Sequence, residues 1–233
     1  MEKQPPTRAV VLAAGRGRRL RPHTDSTPKP LLPVRGRPTL TYTLDALAAA
    51  GVGDVCLVIG YLGEQIVAFA GDGSAWGVRV HYRQQQQPTG TADALRQARD
   101  FLTEPTMVVA ADYILPEHYL ADLKEAYRAS GKDLAVSLKR LPPGELASRS
   151  SVRFDEAGNV AAIVEKPDPD AAPSQIGASL IYVVPSAITH YLERLTLSSR
   201  GEYELPAVVN RMIQDGYEVA GVLQEAPEEW TPP

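Results

Sequence analysis

The sequence predicts an α/β fold: a Rossmann-like mixed, mostly parallel sheet with helices on both faces. Three observations carry this reading. Short runs that are apolar throughout recur at residues 9–14, 55–59 and 107–111, as strands buried on both faces do. Between them lie segments with apolar residues at helical spacing, such as Leu40, Leu44 and Leu47. Their strict alternation wraps helices over both sides of a parallel sheet. At 233 residues the chain can bury a sizeable single core, so one domain over 1–233 is expected, with a change of texture near residue 141.

Each element follows from local signals. The first strand covers 9–14. A helix over 39–50 has Pro38 at its start and Gly51 just past its end, the usual proline and glycine asymmetry of helix ends. A buried strand at 55–59, a short helix at 62–70 and an alternating strand at 78–83 come next. A helix over 91–102 takes Thr91 as its N-cap. The strand 107–111 ends at Asp112, a helix spans 116–129, and a strand covers 134–139. The second half opens with a hairpin whose arms, 152–154 and 160–165, are joined by Asp155-Glu156-Ala157-Gly158-Asn159. A strand at 179–184, helices at 185–195 and 203–215, and a strand at 217–222 complete the chain.

Composition narrows the function. The net charge of −4 excludes a general binder of nucleic acid, so basic residues matter only where they cluster. The lone Cys56 lies in an apolar run and reads as a packing thiol. His23, His81, His118 and His190 show no metal-ligand spacing. A leader or a long apolar span is not seen, so a cytoplasmic protein with no membrane partner is expected.

One cluster stands out. Leu12-Ala13-Ala14-Gly15-Arg16-Gly17-Arg18-Arg19-Leu20-Arg21-Pro22 is followed by Pro28-Lys29-Pro30. Glycines let backbone N–H groups approach an anion, and the cations neutralise it. Leu20 stands where a dinucleotide fingerprint needs a third glycine, and no Gly-Lys-Ser/Thr closes a P-loop. A triphosphate is the anion that suits the loop; a turn with solvated arginines is the plain alternative. Lys29, between two prolines, is held in a stiff segment. Asp112, at the end of a buried strand, suits a Mg²⁺ ligand or the N-cap of the next helix. The amide of Gln85 offers donor and acceptor together to a base edge, and Pro88-Thr89-Gly90 reads as a turn.

Together these segments resemble the sugar-1-phosphate nucleotidylyltransferase family over nearly the whole chain, and imply its nucleotide-diphospho-sugar transferase fold. Leu12, Ala13, Ala14, Gly15, Gly17, Arg19, Leu20, Pro22, Thr24, Lys29 and Pro30 match the family signature in register, with Arg18 in place of a threonine. Gln85 matches the base-reading glutamine, and Gly90-Thr91-Ala92 the helix opening beneath the nucleotide. Ala111-Asp112 stands for Gly-Asp, Glu165-Lys166-Pro167 for the Glu-Lys-Pro of the sugar pocket, and Gly201-Glu202-Tyr203-Glu204-Leu205 for the Gly-Glu segment. The chain departs from the pattern at Ser148-Arg149-Ser150-Ser151, where a Tyr-Gly is usual. It departs again at Glu228-Glu229-Trp230, where the second metal aspartate is missing and Glu228, or Glu229 beside it, is expected to stand in.

The resemblance implies transfer of a nucleotidyl group from an NTP to a sugar-1-phosphate, with dTTP or UTP and glucose-1-phosphate or a relative as the first expectation. Catalysis falls to Arg19, Lys29 and Asp112. The nucleotide is assigned to Leu12, Ala13, Ala14, Gly15, Gly17, Gln85, Gly90 and Thr91, in the half before about residue 140. The sugar phosphate is assigned to Glu165, Lys166, Gly177 and Glu202, in the half from about 141. Mg²⁺ goes to Asp112 and Glu228. Arg19 is expected to hold the leaving phosphates. Partners are the NTP and the sugar phosphate, and dimers and tetramers are frequent in the family, so a homo-oligomer is compatible with it. A phosphate nucleophile, with its second pKa of about 6, needs no general base. The rivals are a cytidylyltransferase acting on a non-sugar phosphate, and an inactive regulatory relative that binds a nucleotide sugar.

Overall fold

In a computed structural model of the chain, residues 3–142, 144–145 and 149–231 are described. In chain order the strands are β1 (Arg8–Ala13), β2 (Pro33–Val34), β3 (Arg37–Pro38), β4 (Asp54–Ile59), β5 (Arg79–Gln84), β6 (Thr106–Ala110) and β7 (Tyr113–Ile114). The second half adds β8 (Leu134–Arg140), β9 (Ser150–Phe154), β10 (Val160–Glu165), β11 (Ile176–Val184), β12 (Val219–Leu223) and β13 (Glu228–Glu229). The α-helices are α1 (Thr39–Ala49), α2 (Gly63–Ala70), α3 (Thr91–Gln97), α4 (Tyr119–Ser130), α5 (Ile188–Leu192) and α6 (Leu205–Gln214).

Seven strands form one sheet in the order β12-β8-β11-β6-β1-β4-β5. Within it β5, β4, β1 and β6 pair in parallel, as do β8 and β12, and β11 runs antiparallel to both β6 and β8. The expected mixed, mostly parallel sheet is therefore present, and β11 makes it continuous between the two halves of the chain.

Apolar layers cover both faces. Ala9, Val11 and Ala13 of β1 pack with Leu40, Leu44 and Leu47 of α1, Ile66 of α2 and Leu120 and Leu123 of α4. Val10 faces the opposite way and joins Leu95 of α3, Ile188 and Leu192 of α5, and Val208, Val209 and Met212 of α6. Period-two alternation along a strand that is apolar from Ala9 onward produces this division. Cys56 is fully buried in the second layer, and burial pushes its thiol up to about 12, so it is an inert packing group.

Several boundaries moved. The arginine stretch forms only one short 3₁₀ turn, Arg18–Leu20, because the loop turns through Gly17 in the left-handed region and Pro22 cannot continue a helix. Helix α3 stops at Gln97 and gives way to a 3₁₀ turn at Arg99–Phe101. Thr91 is not an N-cap. Gly90 occupies that position, and the Thr91 hydroxyl accepts the Leu205 N–H (2.9 Å) at the start of α6. Asp112 caps no helix, since α4 begins at Tyr119. Two small pairings were not foreseen: β2 with β3, and β7 with β13. Among the described residues no helix is long and apolar enough to cross a membrane.

Candidate active site

Chain order fixes where the site falls. From β1 the chain moves outward through β4 to β5, then returns to place β6 on the other side of β1. In open α/β sheets the crevice beyond the carboxyl ends at such a reversal is where ligands bind. The glycine loop leaves β1 there and Asp112 follows β6, the two tied by the Ala111 N–H donated to the Leu12 carbonyl (3.1 Å).

Two cavities open at this edge. The first, about 410 Å³, is lined by Leu12, Ala13, Ala14, Gly15, Gly17, Gln85, Gly90 and Thr91, all eight residues assigned to the nucleotide. The second, about 250 Å³, is lined by Arg19, Glu165, Lys166 and Glu202, with Lys139, Arg149, Arg200 and Glu229. Lys29, Thr91, Asp112 and Glu202 line both, so the two spaces meet over the ion pair of Lys29 and Asp112. Both members of that pair are mostly shielded, with side-chain exposures of 19% and 27%.

The loop is held by its own geometry. Gly17 has φ +62°, and an added Cβ would lie 2.9 Å from Thr24 Cγ2. Buried Thr24 in turn donates its hydroxyl to the Gly17 carbonyl (3.0 Å). Arg16 lays its guanidinium over the Tyr61 ring at 4.9 Å, and both Arg16 and Arg18 line the first cavity. Arg19 lines the second, because the 3₁₀ turn sends neighbouring side chains in different directions. This placement differs from the expectation that Arg19 sits with the triphosphate loop.

Gln85 is 5% exposed. Its Nε2 donates to the Gly90 carbonyl (3.1 Å) and to Asp93 Oδ2 (2.9 Å). Gly90 itself is pressed against the Tyr203 backbone, which accepts from the Ala92 N–H and donates to the Thr89 carbonyl, both at 2.8 Å. The segment carrying Arg200, Glu202 and Glu204 is thereby bonded to the loop beneath the first cavity.

The second cavity is built from charges. Glu165 accepts the Ser150 hydroxyl at 2.6 Å and lies 3.6 Å from Arg200, which also pairs with Glu204. Lys166 has φ +45° although it precedes a proline, a position normally confined to extended geometry. Strain of this kind persists where the surroundings fix it, and it clusters at functional sites. Lys139 is 5% exposed. Burial pushes its ammonium below its usual range, Arg149 adds to this, and Glu229, 3.8 Å away, opposes it. Glu229 is also paired with Arg149.

Two assigned residues fall elsewhere. Glu228 points away from Asp112 and pairs with Arg35 at 2.8 Å on an exposed face. In the β13–β7 ladder Glu229 stands opposite Tyr113, and successive strand residues face opposite ways, so Glu229 and not Glu228 enters the cavity with Asp112. Gly177, opposite Lys139 in the β8–β11 ladder, lines neither cavity; it packs under Leu141 and the Ser150 carbonyl. Of the divergent segment, Arg149 and Ser150 line the second cavity, and Ser148 lies outside the described residues.

Lys139, Arg149 and Arg200 were not singled out as site residues, and Glu229 was named only as the alternative to Glu228. A lysine ending the mostly apolar strand 134–139 was the available signal for the first. The arginine preceding Gly201-Glu202 was the signal for Arg200. Among the described residues no group of three or more His, Cys, Asp or Glu side chains could hold a metal. One or two carboxylates in a charged cleft fit an ion such as Mg²⁺, whose remaining ligands are phosphate oxygens and water.

The nucleotidyl transferase family matches residues 8–230. Glucose-1-phosphate thymidylyltransferase of Streptomyces griseus is 35% identical over 93% of the chain and 60% of its own length. UTP–glucose-1-phosphate uridylyltransferase AglF of Haloferax volcanii is 32% identical over 89% of the chain and 84% of its own length. The chain spans about three fifths of the length of two of the curated relatives it matches. A Bacillus anthracis structure assigned as a glucose-1-phosphate thymidylyltransferase, in complex with a sucrose, superposes with a TM-score of 0.81 at 26% identity, covering 96% of this chain and 87% of that one. The chain belongs to the nucleotidyl transferase family, the family of the sugar-1-phosphate nucleotidylyltransferases.

Proposed function

We propose that this protein joins an NTP and a sugar-1-phosphate into a nucleoside-diphosphate sugar. The observation that carries the reading is the meeting of the two cavities over Lys29 and Asp112. An oxygen of the sugar phosphate attacks the α-phosphorus; a new P–O bond forms as the bond to the β-phosphate oxygen breaks, and pyrophosphate leaves with the electron pair. Neither reactant needs a base, so the protein's work is to bring two polyanions together and to neutralise charge.

Each residue then has a task. The backbone of Gly15 and Gly17 cradles the triphosphate, with Arg16 and Arg18 at its rim. Lys29, released from Asp112, bridges the α-phosphate and the incoming phosphate. Arg19, Lys166 and Arg200 hold the phosphates on the acceptor side, and Glu165 and Glu202 take sugar hydroxyls. Asp112, with Glu229 in the same cavity, would hold Mg²⁺. When bound, that ion supplies charge neutralisation at the phosphate oxygens. The likeness to a thymidylyltransferase and a uridylyltransferase of glucose-1-phosphate favours dTTP or UTP with that sugar phosphate. The segment to about residue 140 serves the nucleotide and the remainder the sugar phosphate, within one unit working in the cytoplasm, where NTPs are made. Pyrophosphate release, measured for each NTP against a panel of sugar-1-phosphates, tests the proposal; no release with any pair would reject it.

A further inference from the structure

Asp93 is a residue that no expectation assigned. It is 5% exposed at the start of α3 and is surrounded by donors. Its Oδ2 accepts from Gln85 Nε2 (2.9 Å) and the Thr89 hydroxyl (2.7 Å). Its Oδ1 accepts from Arg96 and from Gln97 Nε2 (3.3 Å). Burial works to raise the Asp93 pKa, but the hydrogen bonds from Gln85, Thr89 and Arg96 hold it below the ordinary value. The group is therefore an ionised carboxylate, which only accepts.

That fixes the Gln85 carboxamide. Both Nε2 hydrogens are committed, one to Asp93 and one to the Gly90 carbonyl. Turning the amide over would set its oxygen against two acceptors at once and leave both without a donor, which is costly for buried groups. Oε1 makes no hydrogen bond among the described residues, and Gln85 lines the first cavity. The group left for a base is thus a lone acceptor.

We infer that Asp93 sets base choice by locking Gln85 with its oxygen toward the nucleotide, so that the site takes keto bases and disfavours amino bases. Uracil and thymine carry a proton on N3 and guanine on N1, at the centre of the Watson–Crick edge. Cytosine N3 and adenine N1 present a lone pair there, facing another acceptor. The inference rests on the nucleotidyl-transfer reading and deepens it, since it opposes the cytidylyltransferase alternative. Asp93 acts only through Gln85 and is a positioning residue.

The test is calorimetric binding of UTP, dTTP, GTP, CTP and ATP, with Mg²⁺ in the buffer, to the wild type, Asp93→Asn and Gln85→Leu. The best keto nucleotide should bind the wild type at least about tenfold more tightly than CTP or ATP, the usual scale for a base-edge contact. Asp93→Asn replaces one of the two opposing acceptors by a group that can donate, so that only the Gly90 carbonyl still opposes the turned-over carboxamide, and should lower that ratio. Gln85→Leu should do the same if Asp93→Asn fails to fold. General damage would weaken all five nucleotides alike and leave the ratio standing. A wild type that prefers CTP or ATP, or a folded Asp93→Asn or Gln85→Leu protein that keeps the keto preference, would overturn the inference. CTP preference with pyrophosphate release intact would remove this assignment alone; failure to bind any NTP would remove the functional proposal with it.

Discussion

Gly90 packs so tightly against the Tyr203 backbone that it makes a sharp prediction for Gly90→Ala. Gly90 has φ +131°, and an added Cβ would stand 2.3 Å from the Tyr203 carbonyl oxygen and 2.6 Å from its nitrogen. Those are backbone atoms, so no side chain can rotate away. They are also the atoms bonded to Ala92 and Thr89 at 2.8 Å. The backbone strain costs about 1–3 kcal/mol. Two weakened hydrogen bonds add about 1 kcal/mol each. Together these give about 3–5 kcal/mol, or a melting temperature lower by roughly 6–20 °C for a chain of this size. Scanning calorimetry of wild type and variant measures this directly. The KM values for NTP and for sugar phosphate should rise together, because the broken contact joins the floors of both cavities. Gly15→Ala is the control for stability: its Cβ meets nothing within 4 Å, so melting should hold while triphosphate affinity falls. A Gly90→Ala protein that melts within about 2 °C of wild type and keeps both KM values would refute the reasoning.

Other outcomes follow from single contacts. Lys29→Ala and Arg19→Ala should each lower kcat by about a hundredfold, the scale for one preorganised charge contact; steady-state rates that fall less than tenfold in both would reject their roles. Glu229→Gln should reduce turnover, while Glu228→Gln should leave it unchanged and shift stability by no more than about 1 kcal/mol, since its partner Arg35 is exposed; equal rates for the two proteins would count against the strand register. Asp93 is held below its ordinary value of 3.8, so its stabilising effect is present above that value and is lost as pH falls through its lowered pKa. Denaturation followed from pH 6 to pH 2 should show a shallower acid limb for Asp93→Asn, and an unchanged limb would contradict the hydrogen-bond network.

Much of this was legible because the signals were local. Runs apolar at every position and of strand length read as strands of a covered sheet, and the order of motifs that carries the family resemblance picked out Gly15, Gly17, Gln85 and Lys29, which the structure brings to one cavity. What escaped depended on long-range pairing. The two-residue strand β13 has no propensity signal of its own. Its register against β7 decides that Glu229 turns inward and Glu228 outward, and a one-residue slip reverses that choice. Thr91 carried a sound N-cap signal, yet its hydroxyl went to Leu205, over a hundred positions away in sequence, because α6 packs beside α3. Lys139 and Arg149 are drawn together by β8 and β9, and their shared partner Glu229 arrives only with the C-terminal pairing.

Strand β11 has a mechanical consequence. Lying between β6 and β8, it welds the two halves of the sheet into one plate, and a hinge between them would have to tear a hydrogen-bonded ladder. The distance between the two cavities is therefore built into the sheet, and any closer approach across them is left to loops. Fixed placement of this kind supplies a high effective molarity without a large motion. Cutting the chain near residue 140 would expose the flank of β6 as a row of unpaired amides. Such an edge invites pairing with other chains, so residues 1–140 expressed alone should aggregate instead of forming a stable smaller module.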